Sequence, residues 1–172
     1  ISLLNQIACG QDLSDEQAES AVRAMMSGEV SPALSGAFLW GLKTKGESVQ
    51  EIAGSARAMR GLMSSVQSPE GAIDVCGTGG DKSGTYNIST AVSFVLAGSG
   101  VPVAKHGNRA ATSKSGAADV LAALGVNLEA DFSLIEQAIA QANVGFLFAQ
   151  RHHGAIKHVM PVRKELQIPT VF

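Results

Sequence analysis

The sequence predicts an α/β fold in which a small N-terminal helical domain precedes a domain built on a parallel sheet. Three observations support this prediction. Residues 1–66 place apolar side chains at helical spacing between capping signals. After residue 68, an apolar strand, a polar or glycine-rich loop and an amphipathic helix recur three times, which favours a parallel sheet with right-handed crossovers. The chain has 172 residues, 45% of them hydrophobic, which is enough to bury a sizeable core.

We expect a helical domain over residues 1–66, an α/β domain over 67–150, and a helix and hinge over 151–172 that return toward the helical domain. Four short helices are expected in the first domain. Two of them should begin at capping boxes, one formed by Ser14 and Gln17 and the other by Ser48 and Glu51. Ser31 and Pro32 supply a cap residue and a first-turn proline for another helix.

In the second domain, strands are expected over residues 73–76, 101–104 and 146–149, with helices that begin near Ser89, Ser115 and His153. A further helix over 132–142 is expected to begin with a capping box formed by Ser133 and Glu136. Ligands of a parallel sheet bind beyond the carboxyl ends of its strands. The loops 77–87, 105–113 and 150–153 should therefore converge on one site.

Composition excludes several classes of protein. The chain has 13 Lys plus Arg against 15 Asp plus Glu, a formal net charge of −2, which argues against a main role in binding duplex nucleic acid. It has no apolar stretch near the roughly 20 residues that span a bilayer, and no signal-peptide pattern. Cys9 and Cys76 lie far apart without a CxxC partner, so we expect free thiols in packing positions. These features predict a soluble, cytoplasmic protein without membrane or nucleic-acid partners.

The glycine-rich segment after the first expected strand carries the clearest ligand signal. It reads GTGGDKSGT over residues 77–85 and continues as NIST over 87–90. It matches neither a P-loop nor a dinucleotide fingerprint, because Asp81 and Lys82 occupy positions where those motifs require glycine. Successive glycines still let backbone N–H groups face phosphate oxygens, and Ser89, Thr90 and the free amides of the next helix add donors. A phosphate cradle is therefore preferred over a simple capped turn between strand and helix.

Two further polar segments follow the other strands. KHGNR, at residues 105–109, is a charged loop suited to a polyanion, with a solvated loop as the alternative. QRHH at 150–153, with His158 beyond it, raises the question of a metal site. The HExxH pattern is absent and only Glu165 lies near as a carboxylate, so a histidine-rich helix start that lines a pocket or packs is preferred over zinc.

At these three motifs the sequence resembles the anthranilate phosphoribosyltransferase family of tryptophan biosynthesis. The resemblance runs along the whole chain, through GTGGD (77–81), NIST (87–90), KHGNR (105–109), SKSG (113–116), ADVL (118–121) and VRKEL (162–166). It implies a nucleoside phosphorylase/phosphoribosyltransferase-like fold and a homodimer formed through the helical domain. It also implies Mg²⁺-dependent transfer of a pentosyl group, phosphoribose, from phosphoribosyl pyrophosphate (PRPP) to the amine of anthranilate. The products are N-(5-phosphoribosyl)anthranilate and pyrophosphate.

The resemblance also assigns site residues. It implies catalytic roles for Lys105 and Asp81, a Mg²⁺ ligand in Ser89, and anthranilate contacts from Gly77, Asn108 and Arg163. The residues expected to bind PRPP are Gly77, Gly80, Asp81, Thr85, Asn87, Ile88, Ser89, Thr90, Lys105, His106, Gly107, Asn108, Arg109, Ala110, Ala111, Thr112, Ser113 and Ala117.

The sequence departs from the family pattern at two places. Ala117 stands where relatives often have serine. The Asp-Glu pair that holds a second Mg²⁺ in the family has no counterpart, so two ions per site are expected with carboxylate ligands missing from this chain. We therefore expect this chain to be the N-terminal half of such an enzyme, with its C-terminal part missing, and not to be active alone.

The expected chemistry needs charge stabilisation more than a strong base. Transfer at an anomeric carbon passes through a cation-like transition state, so Lys105, loop amides and Mg²⁺ suit the departing pyrophosphate. The amine of anthranilate is neutral near pH 7, and Arg163 has only to anchor the carboxylate.

Two alternatives remain at this point. The first, a pyrimidine nucleoside phosphorylase, is disfavoured by the intact KHGNR and would be identified by phosphorolysis of thymidine or uridine. The second, a non-catalytic nucleic-acid-binding relative, is disfavoured by the net charge of −2 and would show salt-dependent DNA binding.

Overall fold

The computed structural model describes residues 1–77, 86–110, 115–168 and 170–171. The chain folds into two compact units. One comprises Ile1–Met63 together with His153–Phe172 and is called the helical unit below; the other, Ser64–His152, is called the α/β unit. The predicted combination of N-terminal helices and an α/β domain with parallel strands is confirmed.

The helical unit starts with the four predicted helices: α1 (Ser2–Ala8), α2 (Asp15–Met26), α3 (Pro32–Lys45) and α4 (Val49–Gly61). Both predicted capping boxes are present. The Ser14 hydroxyl accepts the Gln17 N–H, and the Gln17 side chain accepts the Ser14 N–H in return. Ser48 and Glu51 make the same reciprocal pair at the start of α4. These local bonds satisfy backbone donors that a helix start leaves open, which is why the helix starts were predictable.

The chain rejoins the helical unit after residue 152 through a 3₁₀ turn, Gly154–His158, and helix α9, Met160–Leu166. A helix does begin at the predicted place, since His153 is the N-cap of the 3₁₀ segment, but the α-helix begins seven residues later, with Pro161 in its first turn. Val159 and Val162 are buried in the core of this unit. The other fully or nearly buried members of that core are Ile7, Leu13, Val22, Met25, Met26, Phe38, Leu39, Leu42 and Ala58.

The α/β unit contains, in order, α5 (Ile88–Gly98), β1 (Val103–Gly107), α6 (Ala117–Ala123), α7 (Phe132–Ala142), β2 (Val144–Phe148) and α8 (Ala149–His152). Strands β1 and β2 are parallel, with Val103 opposite Val144 and Gly107 opposite Phe148. Strand β1 begins two residues and ends three residues after its predicted limits, whereas β2 begins two residues and ends one residue before its predicted limits. Pro102 cannot donate to a ladder, and Asn143, in a left-handed conformation, ends α7 immediately before β2.

The first predicted strand, 73–76, is reduced to a single parallel bridge between Ile73 and Val103. The ladder stops at Ile73 because Asp74, the next residue, bonds to the neighbouring segment through its side chain and not through its backbone. The Asp74 carboxylate accepts the backbone N–H groups of Cys76 and His106, at 3.0 and 3.2 Å. The strand prediction is wrong beyond Ile73, yet the parallel direction that it required is present.

Two smaller expectations are also wrong. Helix α7 has the predicted limits, but its N-cap is Asp131 and not Ser133. The Glu136 carboxylate does not form a capping box, because it accepts the Gln67 N–H at 2.8 Å. Cys9 and Cys76 are free thiols, but both are exposed and not packed. Among the described residues, no helix is both long and apolar enough to cross a membrane.

Candidate active site

The expected phosphate-binding residues Asn87, Ser89 and Thr90 lie at the N-terminus of α5. Asn87 is the N-cap, and its Oδ1 accepts the Thr90 N–H at 3.3 Å and the Thr90 hydroxyl at 2.7 Å. The first backbone N–H groups of a helix lack intrahelical acceptors, and the helix dipole makes this end positive. Asn87 therefore already accepts both Thr90 donors, and the Ile88 N–H donates to the Tyr86 carbonyl oxygen at 2.8 Å. What this helix start offers an anion is the positive end of the helix dipole and the Ser89 N–H, which has no acceptor among the described residues.

Lys105 lies beside this helix start, on β1. Its side chain is buried, with 2% of the residue exposed, and its Nζ is 3.4 Å from Ser89 Oγ. Burial lowers the pKa of Lys105, an effect that the charges of Asp74 and Cys76 partly oppose. Among the described residues, no carboxylate forms an ion pair with this ammonium group. The group is therefore available to an external anion.

Asp74 ties the start of the glycine-rich segment to the end of β1. Its Oδ1 accepts the N–H groups of Cys76 and His106, which holds the two segments side by side. Burial lowers the pKa of His106, while Asp74 acts in the opposite direction. The sequence assigned Asp74 no role, although its position three residues before the glycine-rich segment was the available signal.

Asp119 organises the segment after β1. One of its oxygens accepts the N–H groups of Ala110 and Gly116, at 2.9 and 3.2 Å, and the other lies 3.1 Å from the Arg109 guanidinium. A β-carbon on Gly116 would collide with the Ala110 nitrogen, so only glycine fits. Asp119 belongs to the ADVL motif but was assigned no role; its place three residues after Gly116, the helix N-cap, is the signal that marks it.

The remaining expected residues on this segment lie close by. The Asn108 side chain accepts the Arg109 N–H at 2.8 Å, and its backbone oxygen accepts the Ala118 N–H. A β-carbon on Gly107 would lie 2.8 Å from the Phe146 ring and 3.0 Å from the Ala117 β-carbon, which explains the glycine. The α/β unit thus joins the two motifs through the contact of Lys105 with Ser89, while Ile88 in the first turn of α5 and Gly77 are exposed.

Several expected residues are not part of this arrangement. Arg163 belongs to α9 of the helical unit, where its Nε donates to the Thr170 hydroxyl at 3.0 Å and burial lowers its pKa. His152, in the α/β unit, is buried against the Phe132 ring. Its Nδ1 lies 2.9 Å from the Ser64 carbonyl oxygen, so the side chain has a packing role and links α8 to the first residue of this unit. The expected residues that lie outside the described ranges are Gly80, Asp81, Thr85, Ala111, Thr112 and Ser113.

The α/β unit also contains an apolar cavity of about 290 Å³ between α5, α7 and β2. Its polar lining residues are Thr90, Ser93, Lys105 and Asn127. A phosphate would meet few donors there, so the N-terminus of α5 remains the better anion site.

Comparison with known proteins agrees with this geometry. Residues 1–63 match the helical bundle domain of a glycosyl transferase family, and residues 69–172 match the a/b domain of the same family. An anthranilate phosphoribosyltransferase from Rhodospirillum rubrum is 58% identical over 170 residues, which are 99% of this chain and 49% of that enzyme. The chain therefore spans about half the length of the curated relatives it matches.

Two solved structures superpose on 99% of the chain. The anthranilate phosphoribosyltransferase from Thermus thermophilus has a TM-score of 0.90 and 45% identity, and 52% of that chain is covered. The enzyme from Saccharomyces cerevisiae, in complex with PRPP and Mg, has a TM-score of 0.89 and 29% identity, again with 52% covered. These matches confirm the expected resemblance to anthranilate phosphoribosyltransferase. The chain belongs to the glycosyl transferase family that is defined by this helical bundle domain and this a/b domain.

Proposed function

We propose that this chain acts in the transfer of phosphoribose from PRPP to the amine of anthranilate, which yields N-(5-phosphoribosyl)anthranilate and pyrophosphate. The observation that carries the proposal is the pairing of Lys105 with the N-terminus of α5, where its Nζ lies 3.4 Å from Ser89 Oγ. A buried cation beside Ser89 and the positive end of the α5 dipole is an arrangement that stabilises an anionic leaving group. The choice of PRPP and anthranilate as substrates comes from the relatives, which are anthranilate phosphoribosyltransferases.

The PRPP side of the reaction is assigned to the α/β unit. Asn87 fixes the first turn of α5, and Asp74 and Asp119 fix the ends of the two neighbouring segments. Donors that are fixed before the reaction need little reorganisation when pyrophosphate begins to depart. Gly80, Asp81, Thr85 and residues 111–113 are proposed to complete this site on the basis of the resemblance.

Mg²⁺ is proposed to bind together with the PRPP phosphates. The half-buried Ser89 hydroxyl lies 3.5 Å from Asn87 Oδ1, so oxygen donors, which Mg²⁺ prefers, are present at the helix start. We propose Ser89 as the ligand from this chain and two ions per site, with further carboxylate ligands supplied from outside it. When bound, Mg²⁺ would add positive charge near the leaving pyrophosphate.

Anthranilate is proposed to contact Gly77, Asn108 and Arg163. Among the described residues, the Arg163 guanidinium donates one hydrogen bond to an oxygen atom, from Nε to the Thr170 hydroxyl. Its Nη1 lies 3.9 Å from the sulfur of Met160, which is a weak acceptor. Donors on the other nitrogens can therefore bind the substrate carboxylate. The amine brings its own lone pair, so no general base is assigned.

Three broader assignments belong to the same proposal. The domain limits are 1–66, 67–150 and 151–172. We propose a homodimer that forms through the helical unit. The supporting observation is that two apolar side chains on α3, Leu34 and Trp40, are 40% and 53% exposed. Cytoplasmic localisation is supported by the exposed free thiols of Cys9 and Cys76, which persist in a reducing compartment.

A direct assay tests the proposal. The chain is expressed together with the C-terminal half that the resemblance implies, this complete enzyme is incubated with PRPP, anthranilate and Mg²⁺, and mass spectrometry follows N-(5-phosphoribosyl)anthranilate. Ser89→Ala should slow product formation, whereas Ser99→Ala, an exposed serine at the other end of α5, should not. Phosphorolysis of thymidine in the absence of anthranilate turnover would replace the proposed reaction with that of a nucleoside phosphorylase.

A further inference from the structure

Asp74, Cys76 and His106 form a compact group of potential metal ligands in the α/β unit. One ligand atom from each, an oxygen, a sulfur and a nitrogen, lies within 4.8 Å of the other two. We propose that these three side chains bind a thiophilic divalent cation, Zn²⁺ in particular. This site differs from the Mg²⁺ site of the proposed function, both in its residues and in the class of cation that it takes.

The backbone holds the three residues together before any ion is bound. The bridge between Ile73 and Val103 sets the two segments side by side, one residue before Asp74 and three before His106. The Asp74 carboxylate then accepts the N–H groups of Cys76 and His106, at 3.0 and 3.2 Å. Because these bonds fix the segments in the absence of metal, binding an ion requires mainly side-chain rotation.

The chemistry of the donors selects the cation. Zn²⁺ binds sulfur at about 2.3 Å and nitrogen or oxygen at about 2.0–2.2 Å, so the ligand atoms around it lie roughly 3–4 Å apart. The observed separations, all within 4.8 Å, need to shorten by only about an ångström. Sulfur and imidazole ligands favour Zn²⁺ over Mg²⁺, which prefers oxygen alone. Three protein ligands leave a fourth tetrahedral position for water or another group.

Access and charge also fit a dication. Asp74 and Cys76 are exposed, and His106 is partly buried, so an ion can reach the group from solvent. Burial and the neighbouring Asp74 raise the pKa of the Cys76 thiol. Zn²⁺ binds the thiolate, so the Cys76 proton is released to solvent as the ion binds. The carboxylate and the thiolate together then balance the charge of the ion.

Co²⁺ provides a spectroscopic test that needs no turnover. Titrated into the reduced protein under anaerobic conditions, Co²⁺ should give d–d bands of a tetrahedral site and a thiolate-to-metal charge-transfer band, and Zn²⁺ should abolish both by displacing it. Excess Mg²⁺ should leave them unchanged. Because the assay contains neither PRPP nor anthranilate, its result is independent of the proposed transferase reaction.

Variants identify the ligands. Cys76→Ser should remove the charge-transfer band, whereas Cys9→Ser, which changes the only other cysteine of the chain, should retain it. His106→Gln should weaken Co²⁺ binding at least about tenfold, the lower limit for loss of a supporting group around a metal. Circular dichroism confirms that each variant is folded. Absence of the band in the parent protein, or its survival in Cys76→Ser, would overturn the proposal.

Discussion

Lys105 is the residue on which the proposed PRPP site depends most. It is buried beside Ser89, and its charge has no carboxylate partner among the described residues. The charged KHGNR segment and the family resemblance identified it, although the structure places Lys105 within β1 and not after the strand. Its burial and its distance to the helix start could not be predicted, since both depend on how α5 packs against β1.

Replacing Lys105 with alanine should weaken catalysis on the PRPP side. Loss of a charged hydrogen bond costs about 1.5–3 kcal/mol, so kcat/KM for PRPP should fall roughly 10- to 150-fold. Steady-state kinetics with PRPP varied would measure this. Lys43→Ala, an exposed lysine on α3, is the matched control and should change little. An unchanged kcat/KM in Lys105→Ala would remove the residue from the site.

Arg163 should act on the other substrate. With the guanidinium removed, the anthranilate carboxylate loses its proposed anchor, so KM for anthranilate should rise much more than KM for PRPP. Kinetics with each substrate varied in turn would separate the two effects. Lys164→Ala, its exposed neighbour on α9, controls for loss of a positive charge. Equal changes in both KM values would indicate a structural role for Arg163 instead.

At the scale of elements, helix starts were predictable and strand limits were not. The capping boxes of Ser14 and Ser48 involve residues three positions apart, so the local sequence contains the whole interaction. The end of the first strand is decided by the Asp74 bond to His106, 32 residues away. The place of Asp119 three residues after the N-cap predicts its bond to the Gly116 N–H, but no local pattern predicts its bond to Ala110, nine residues away.

Packing between α2 and α4 gives a stability prediction. A β-carbon on Gly54 would overlap the backbone oxygen of Asp15 and lie 3.0 Å from the Ala18 β-carbon. Because a backbone atom cannot rotate away, Gly54→Ala should lower the free energy of unfolding of the helical unit by about 1–3 kcal/mol. Chemical denaturation followed by circular dichroism measures the change.

Gly98→Ala is the matched control for this substitution. Gly98 is also helical, in α5, and no heavy atom of the described residues lies within 4 Å of the position that an added methyl group would take. Alanine should be neutral or stabilising there, by up to about 1 kcal/mol, because of its higher helix propensity. Equal destabilisation by both substitutions would contradict the close approach of α2 at Gly54.

At the scale of the whole molecule, ion pairs link several segments of the helical unit. In the helical unit, bonds with Glu16 and Arg57 hold the pKa of Asp15 below its ordinary value, and bonds with Arg57 and Arg23 do the same for Glu19. Lys45 joins Asp12 to Glu51 across three segments of the same unit. Trp40, the only tryptophan in the chain, lies on α3 and therefore reports on this unit. Fluorescence can follow the helical unit selectively.

Glu51 is the buried centre of that network. Its carboxylate accepts the N–H groups of Leu13 and Ser48, at 2.9 and 2.8 Å, and lies 2.9 Å from Lys45 Nζ. Burial by itself raises the pKa of Glu51, but these bonds to the charged form outweigh it and hold the pKa below the ordinary 4.5. The Glu51 carboxyl therefore binds its proton more tightly in the unfolded chain than in the folded chain. The stabilisation is therefore complete above about pH 4.5 and is lost as pH falls through the folded-state pKa.

Glu51→Gln should consequently destabilise the helical unit at pH 7 and change its response to acid. Loss of charged hydrogen bonds should cost about 1.5–3 kcal/mol at neutral pH. Below the folded-state pKa of Glu51 the difference from the parent protein should shrink, because the parent carboxyl is then protonated as well. Denaturant titrations between pH 3 and about pH 7, followed by Trp40 fluorescence, measure both effects, and Glu29→Gln, an exposed glutamate of the same unit, should leave the profile unchanged. A constant difference between parent and Glu51→Gln across this range would show that the network stabilises the unit by its shape and not by the charge of Glu51.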